Sequence, residues 1–373
     1  MDNRKIRVAI THGDTNGIGY ELIFKTFAEP QMLELCTPIV YGSPKVAAYH
    51  RKALNMPANF SIINDALEAC DGRVNMLACF DDEVKVELGV PTQESGAAAV
   101  KALDRAMTDF RKGCFDVLVS CPVDDNNMQD GHIKFGGLTE YVETSIGNDA
   151  KAVNMLVGEC LRMASVTNGL QIKNVSSKIT KESLSDIIKV MSESLRRDFR
   201  LSNPRIAVIA LNPDAAGEEE KTQIIPAIDE LSENGVLVFG PYQAKTFFGM
   251  ARYDAFDGVV TMYDDQCNIP FDTISCGCGF NHIAGLPLVC TSPTTTAGFD
   301  IAGQGKADEN MLRHAIYAAI DIFRNRTNYD IPLANPLKKL YHEKRDESDK
   351  ARFTVQPKRH DNAPREKVKQ HEE

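Results

Sequence analysis

The sequence predicts an α/β fold built on a mainly parallel sheet. Short β-rich runs alternate with longer segments of helical period, which is the pattern of strands joined by crossover helices. The strand-like runs are continuously apolar, as expected of strands covered by helices on both faces. At 373 residues the chain has the length of about two domains and can bury a sizeable core without disulfide or metal staples.

The elements follow in order. Ile6–Ile10 (IRVAI) and Pro38–Tyr41 (PIVY) read as buried strands. Val117–Val119, Ile206–Leu211 (IAVIAL), Val259–Tyr263 (VVTMY) and Leu286–Cys290 (LPLVC) read the same way. Val100, Leu103, Met107 and Phe110 mark the apolar stripe of one helix, and Leu184, Ile187, Ile188, Met191 and Leu195 that of another. Thr180 is placed to cap the second. Leu312, Ile316, Ala319 and Phe323 mark a third near the end. Residues 338–373 are rich in charge and nearly empty of large apolar side chains, so this tail is expected to be disordered or loosely helical.

Composition excludes several function classes. The net charge is −10, and residues 337–373 carry 11 Lys/Arg against 8 Asp/Glu, so the body is more acidic still. An acidic body is a poor surface for phosphate backbones, and no nucleic-acid partner is expected. No apolar run reaches the roughly 18–20 residues that span a bilayer, so no membrane role is expected. Without signal-peptide architecture, a cytoplasmic location and reduced thiols are the expectation for the ten cysteines. Four of them crowd between Cys267 and Cys290, where small buried residues are a better reading than a zinc site, because only Cys276-Gly277-Cys278 is closely paired.

Ligands of open α/β sheets bind beyond the carboxyl ends of strands. After the first strand comes Thr11-His12-Gly13-Asp14-Thr15-Asn16-Gly17-Ile18-Gly19, whose glycine spacing fits neither a dinucleotide fingerprint nor a P-loop. It reads either as an anion-binding turn or as a structural one. Asn212-Pro213-Asp214 and Asp264-Asp265-Gln266 follow two further strands, with carboxylates that suit either a hard cation or a helix cap. Thr291-Ser292-Pro293-Thr294-Thr295-Thr296 offers hydroxyls for a phosphate or for a turn.

Taken together and in order, THGDTNGIGYE, FDVLVSCPV, GGLTEYVE, ALNPDAAG, TMYDDQ, FNHIAGLPLVCTSP and DIAGQGKAD resemble the 4-hydroxythreonine-4-phosphate dehydrogenase family of pyridoxal phosphate biosynthesis over about residues 5–325. The resemblance implies two α/β/α domains around a mainly parallel sheet, related to isocitrate and isopropylmalate dehydrogenases. Residues 1–135 plus 290–333 would form the first domain, 136–289 the second, carrying most metal-site positions, and 334–373 the tail. It also implies a homodimer with the active site in the interdomain cleft. The implied chemistry is NAD-dependent oxidation of a phosphorylated small molecule, then metal-assisted decarboxylation.

At most of the positions that match the family's functional residues this chain differs, while Thr139 and Asn281 keep the family's residue types. The three metal-binding histidines are matched by Asn168, Asp214 and Asp264. The substrate positions are matched by Leu138 (a histidine in the family), Thr139, Asp272 (a lysine), Asn281 and Cys290 (an arginine). The segment near the nicotinamide cofactor reads Thr294, Thr295, Thr296. The loop after ALNPDAAG is short and acidic, with Glu218, Glu219 and Glu220. Loss of a guanidinium and an ammonium removes phosphate donors, and carboxylates in place of imidazoles favour harder cations. The expectation is a catalytically impaired or inactive family member. The alternative is an altered enzyme or small-molecule binder with an oxygen-ligand divalent metal site made by Asn168, Asp214, Asp264 and Asp265.

Overall fold

The computed structural model describes residues 4–80, 84–130, 133–134, 137–146 and 150–336, with the backbone alone at 129–130 and 133–134. Met1–Ile331 makes one compact unit, and Pro332 opens a second of which only residues 332–336 are described. The charged tail from 337 onward lies outside the described residues.

The strands are β1 Ile6–Thr11, β2 Cys36–Gly42, β3 Ser61–Ile63, β4 Asn75–Ala78, β5 Val117–Ser120, β6 Gln129–Asp130 and β7 Ile133–Lys134. They continue with β8 Val153–Val157, β9 Arg162–Thr167, β10 Ile206–Ile209, β11 Val238–Tyr242, β12 Gly258–Tyr263, β13 Phe280–Ala284 and β14 Val289–Pro293. Twelve of them form one sheet in the order β11-β10-β12-β9-β8-β13-β14-β5-β1-β2-β4-β3, and β6 pairs with β7 apart from it. Pairing is parallel on both flanks and antiparallel only in the middle, where β8 meets β9 and β13, and β13 meets β14. The predicted mainly parallel α/β sheet is therefore the observed one.

Alternation of side chains along each strand explains the continuous apolar runs. Val8 and Ile10 enter one core while Ala9, between them, enters the core on the other face. On the other flank, Val208 and Val260 face one core, and Ala207, Ile209 and Val259 face another. Both faces of both flanks are thus covered, which leaves no room for polar alternation.

The predicted helices form at Gln93–Arg111, Lys181–Arg197 and Asn310–Ala334. Thr180 caps the second as expected: its hydroxyl accepts from the Ser183 N–H at 3.1 Å, and Ser183 Oγ accepts from the Thr180 N–H at 3.0 Å. One predicted strand is displaced. Leu286–Leu288 is a turn, and the strand is Val289–Pro293. Gly285, at φ +88°, reverses the chain immediately before it, and Leu286 and Leu288 are buried as core plugs instead of ladder residues. Thr291 and Ser292 consequently lie inside a strand, where the sequence had placed them beyond one. No helix among the described residues is long and apolar enough to cross a membrane.

The Thr11–Gly19 segment resolves into a structural turn. The N–H groups of His12, Asp14, Gly17 and Ile18 donate to the carbonyls of Tyr41, Pro122, Asp14 and Ala297, and that of Asn16 to Asp14 Oδ1. Asp14 Oδ2 accepts from Ser95 Oγ and Asn127 Nδ2, both at 2.9 Å. Asn16 ties in Val90, Thr92 and Glu87. With these N–H groups satisfied inside the protein, they have nothing to offer an anion.

Candidate functional site

A cavity of about 640 Å³ opens where the antiparallel middle of the sheet meets the helices Leu138–Ile146 and Asp264–Ser275. Register builds its floor. The parallel pairing of β9 with β12 sets Thr167 beside Tyr263, so the next residues, Asn168 and Asp264, leave the sheet side by side. The antiparallel pairing of β13 with β14 sets Asn281 opposite Ser292. Asn281 Nδ2 donates to Ser292 Oγ at 3.3 Å and to the Pro293 carbonyl at 3.1 Å.

Five of the family-matched residues line this cavity, Leu138, Thr139, Asn168, Asp264 and Asn281, together with Ser292 of the hydroxyl-rich stretch. Asp264 does not cap its own helix. Its Oδ2 accepts the Gly169 N–H at 2.5 Å, which fastens the end of β9 to the end of β12. Asp214 sits elsewhere, exposed in the turn after β10, where its Oδ1 accepts the Ala216 N–H at 3.3 Å. The structure therefore brings Asn168 and Asp264 together in the cavity wall and leaves Asp214 out of it.

The other family-matched positions also lie outside the wall. Asp272 is exposed, eight residues and so about 12 Å further along the helix that begins at Asp264. Cys290 is fully buried in β14, where burial pushes its thiol up to about 12. Thr294, Thr295 and Thr296 follow β14, with Thr294 Oγ1 at 3.5 Å from the Gly279 carbonyl and Thr296 exposed. The neighbouring Ala297 carbonyl accepts the Ile18 N–H at 3.0 Å, which docks this loop on the Thr11–Gly19 turn. In the cysteine-dense stretch Cys267 and Cys290 are buried, whereas Cys276 and Cys278 are exposed, so the buried reading holds for half of it.

Residues that the sequence did not single out complete the wall. They include Asp125, Glu143, Lys151, Asn154, Ser165 and Asn268. Asp125 is raised above the ordinary carboxylate range, first by desolvation and, to a lesser degree, by the charges of Asp124 and Glu140; the Leu138 N–H works in the opposite direction. Glu143 Oε2 accepts the Ala152 N–H at 2.9 Å. Lys151 is paired with Asp186 at 2.8 Å. Ser165 is 4% exposed, and among the described residues its Oγ has no hydrogen-bond partner. The usable signal for Asn154 and Ser165 was a polar residue interrupting an apolar run, which conceals a strand when only unbroken runs are sought.

The donor set decides what the site can hold. Among the described residues no three His, Cys, Asp or Glu side chains gather as metal ligands. Asp264 is the one carboxylate at the matched metal positions that reaches the cavity, with the Asn168 carboxamide beside it. That pair is short of the three protein donors of a catalytic zinc site, whereas Mg²⁺ takes as few as one or two carboxylates from protein and keeps several waters.

Comparison with known proteins agrees with the order of motifs. The family model described as pyridoxal phosphate biosynthetic protein PdxA matches residues 34–319. A 4-hydroxythreonine-4-phosphate dehydrogenase of Bacteroides thetaiotaomicron is 48% identical over 358 residues, covering 95% of this chain and 98% of its own. The crystal structure of a 4-hydroxythreonine-4-phosphate dehydrogenase from Klebsiella pneumoniae superposes with a TM-score of 0.72 at 27% identity, covering 86% of this chain and 100% of its own. That of the Burkholderia phymatum enzyme gives 0.69 at 29% identity, with 86% and 99% covered.

Proposed function

The chain belongs to the pyridoxal phosphate biosynthetic protein PdxA family, and from that premise we propose that it is a member in which the oxidation and decarboxylation of a phosphorylated hydroxy amino acid is impaired or lost. The observation that carries this reading is the cavity wall at the matched positions. Leu138 stands where the family's substrate histidine is expected, and Asn168 and Asp264 where two metal-binding histidines are expected; Asp214, the third, lies outside the wall. The matched phosphate positions support the same reading, with Cys290 sealed in the core and Asp272 on an outer turn.

The family's chemistry joins hydride transfer to NAD with a divalent metal that polarises the reacting oxygens. At the matched metal positions the wall offers Asn168 and Asp264, a harder donor pair than the family's three imidazoles and a poor match for a borderline metal. The Thr294–Thr296 hydroxyls are the groups this chain would offer near a nicotinamide cofactor. We read the two flanks of the sheet as the two lobes expected of the family, 1–135 with 290–333 and 136–289, and a homodimer as the working assembly.

The test is NADH formation from 4-hydroxythreonine 4-phosphate and NAD across Mg²⁺, Mn²⁺, Zn²⁺ and Co²⁺, beside the Bacteroides thetaiotaomicron relative. The expected result is turnover at least about a hundredfold below that relative, since loss of a single key stabiliser costs about that much. Turnover within that margin would overturn the reading. An altered enzyme with an oxygen-ligand metal site is the second reading, favoured by the adjacency of Asn168 and Asp264. It requires a divalent-cation rise in thermal stability that disappears in Asp264→Ala.

A further inference from the structure

The electrostatics of the same cavity indicate what could occupy it. Its described wall carries four carboxylates, Asp125, Glu140, Glu143 and Asp264, against the single ammonium of Lys151, which is already held by Asp186. A phosphate dianion entering here meets like charge on several sides. Three of these carboxylates accept a backbone N–H, Asp125 from Leu138, Glu143 from Ala152 and Asp264 from Gly169. Each bond fixes the side chain while leaving oxygen lone pairs for a cation.

A second, independent feature concerns hydrogen bonding. Ser165 Oγ lies in the wall, buried and without a partner among the described residues. A buried hydroxyl left unsatisfied costs free energy that a ligand donor or acceptor would recover. The same wall carries the carboxamides of Asn154, Asn168, Asn268 and Asn281, a side-chain type that pairs with hydroxyls as donor or acceptor.

We propose that this cavity binds a small, unphosphorylated hydroxylated amine, its ammonium met by the carboxylates of Glu143, Asp264 and Asp125 and its hydroxyls by Ser165 and the surrounding carboxamides. The proposal rests on the reading that the family's phosphate chemistry has lapsed in this chain.

The experiment uses the full chain and three matched probes: 2-amino-1,3-propanediol, its phosphate ester, and glycerol. Glycerol removes the amine, and the ester adds the phosphate. Calorimetric titration and thermal shift at neutral pH are expected to give binding of the aminodiol at millimolar concentration. The affinity should be at least about tenfold above that for glycerol or the ester. Asp264→Asn and Glu143→Gln, both near-isosteric, should each weaken aminodiol binding about tenfold, and Ser165→Ala severalfold. Equal or tighter binding of the ester overturns the proposal, as do equal affinities for glycerol and aminodiol, or no aminodiol binding at all. The NADH assay on the same preparation separates the two claims. Turnover of 4-hydroxythreonine 4-phosphate sinks the reading beneath the proposal, whereas an aminodiol failure without turnover sinks the cavity assignment alone.

Discussion

His282 Nε2 lies 2.8 Å from Asp198 Oδ2, and both side chains are buried. Arg326 closes the group, its Nε at 2.6 Å from Asp198 Oδ1 and its Nη2 at 3.1 Å from Oδ2, while Nη1 donates to the Leu286 carbonyl. Ser194 Oγ adds a further bond at 2.7 Å. One carboxylate thus joins the C-terminal end of the helix Lys181–Arg197, strand β13 and the helix Asn310–Ala334. Burial by itself would raise the Asp198 pKa. The hydrogen bonds and charges of His282 and Arg326 outweigh it and hold the group well below the usual carboxylate range.

Asp198→Asn is expected to destabilise the protein by about 3–5 kcal/mol, because it leaves the Arg326 guanidinium buried without its counter-charge. The sign with pH follows from the depressed pKa. The folded state refuses a proton that the unfolded carboxylate takes up, so the contribution of Asp198 is complete above about pH 4 and is lost as pH falls through the folded value. Urea unfolding at pH 7 and again below pH 4 checks both statements. An Asp198→Asn midpoint equal to wild type at pH 7 would remove the ion group from the account.

Thr180→Ala is expected to cost about 1 kcal/mol, the usual worth of an N-cap hydroxyl. Ser183→Ala should cost a similar amount, since the two hydroxyls serve each other's N–H groups. The double variant should cost less than the sum, because each single change already opens the box. Thermal unfolding of the three proteins measures it.

The pattern of these features explains how far the sequence could be read. β1, β2 and β12 were legible because every position in them is buried or nearly so, and the Thr180 cap because its partner is three residues away. β8 and β9 were not, since Asn154 and Ser165 break the apolar run at the places where the strands face the cavity. Asp214 and Asp264 look alike in sequence, each just past a strand. Only the register of β9 against β12 tells that Asp264 meets Asn168, while Asp214 turns outward on its own loop. Local chemistry is written in the sequence, but the pairing of strands 96 residues apart, as Thr167 with Tyr263, is set by the assembled sheet.

Gly13→Ala is expected to be far more damaging than Gly113→Ala. Both glycines have positive φ, +74° and +71°, so each variant carries the left-handed cost of about 1–2 kcal/mol. At Gly113 an added Cβ meets nothing within 4 Å, whereas at Gly13 it would lie 2.3 Å from the Pro122 carbonyl oxygen, a backbone atom with no rotamer to change. Gly13→Ala should also loosen the turn that places Asp14. Comparing the denaturation midpoints of the two variants isolates the clash, and equal losses would mean that the Pro122 loop yields freely.

His12 gives the chain an acid sensitivity that no cavity residue is needed to explain. The imidazole is fully buried and stacks on Tyr20 with ring centres 5.3 Å apart, and the His50 ring lies 5.0 Å from the same tyrosine. Burial first, and the nearby His50 second, lower the His12 pKa to about 4. Between that value and the ordinary 6.5, the unfolded chain binds a proton that the folded chain excludes. Stability from this group is therefore complete above about pH 6.5 and falls as pH drops toward 4, by about 2 kcal/mol on going from pH 7 to pH 5. His50 is lowered as well, chiefly by burial, and adds to the slope in the same direction. His12→Phe keeps a flat ring against Tyr20 and removes the titration. Its urea midpoint should fall less than that of wild type between pH 7 and pH 5, by the equivalent of about 2 kcal/mol. Parallel falls in the two proteins would mean that His12 takes up its proton in the folded state as well, and would shift the acid sensitivity to His50.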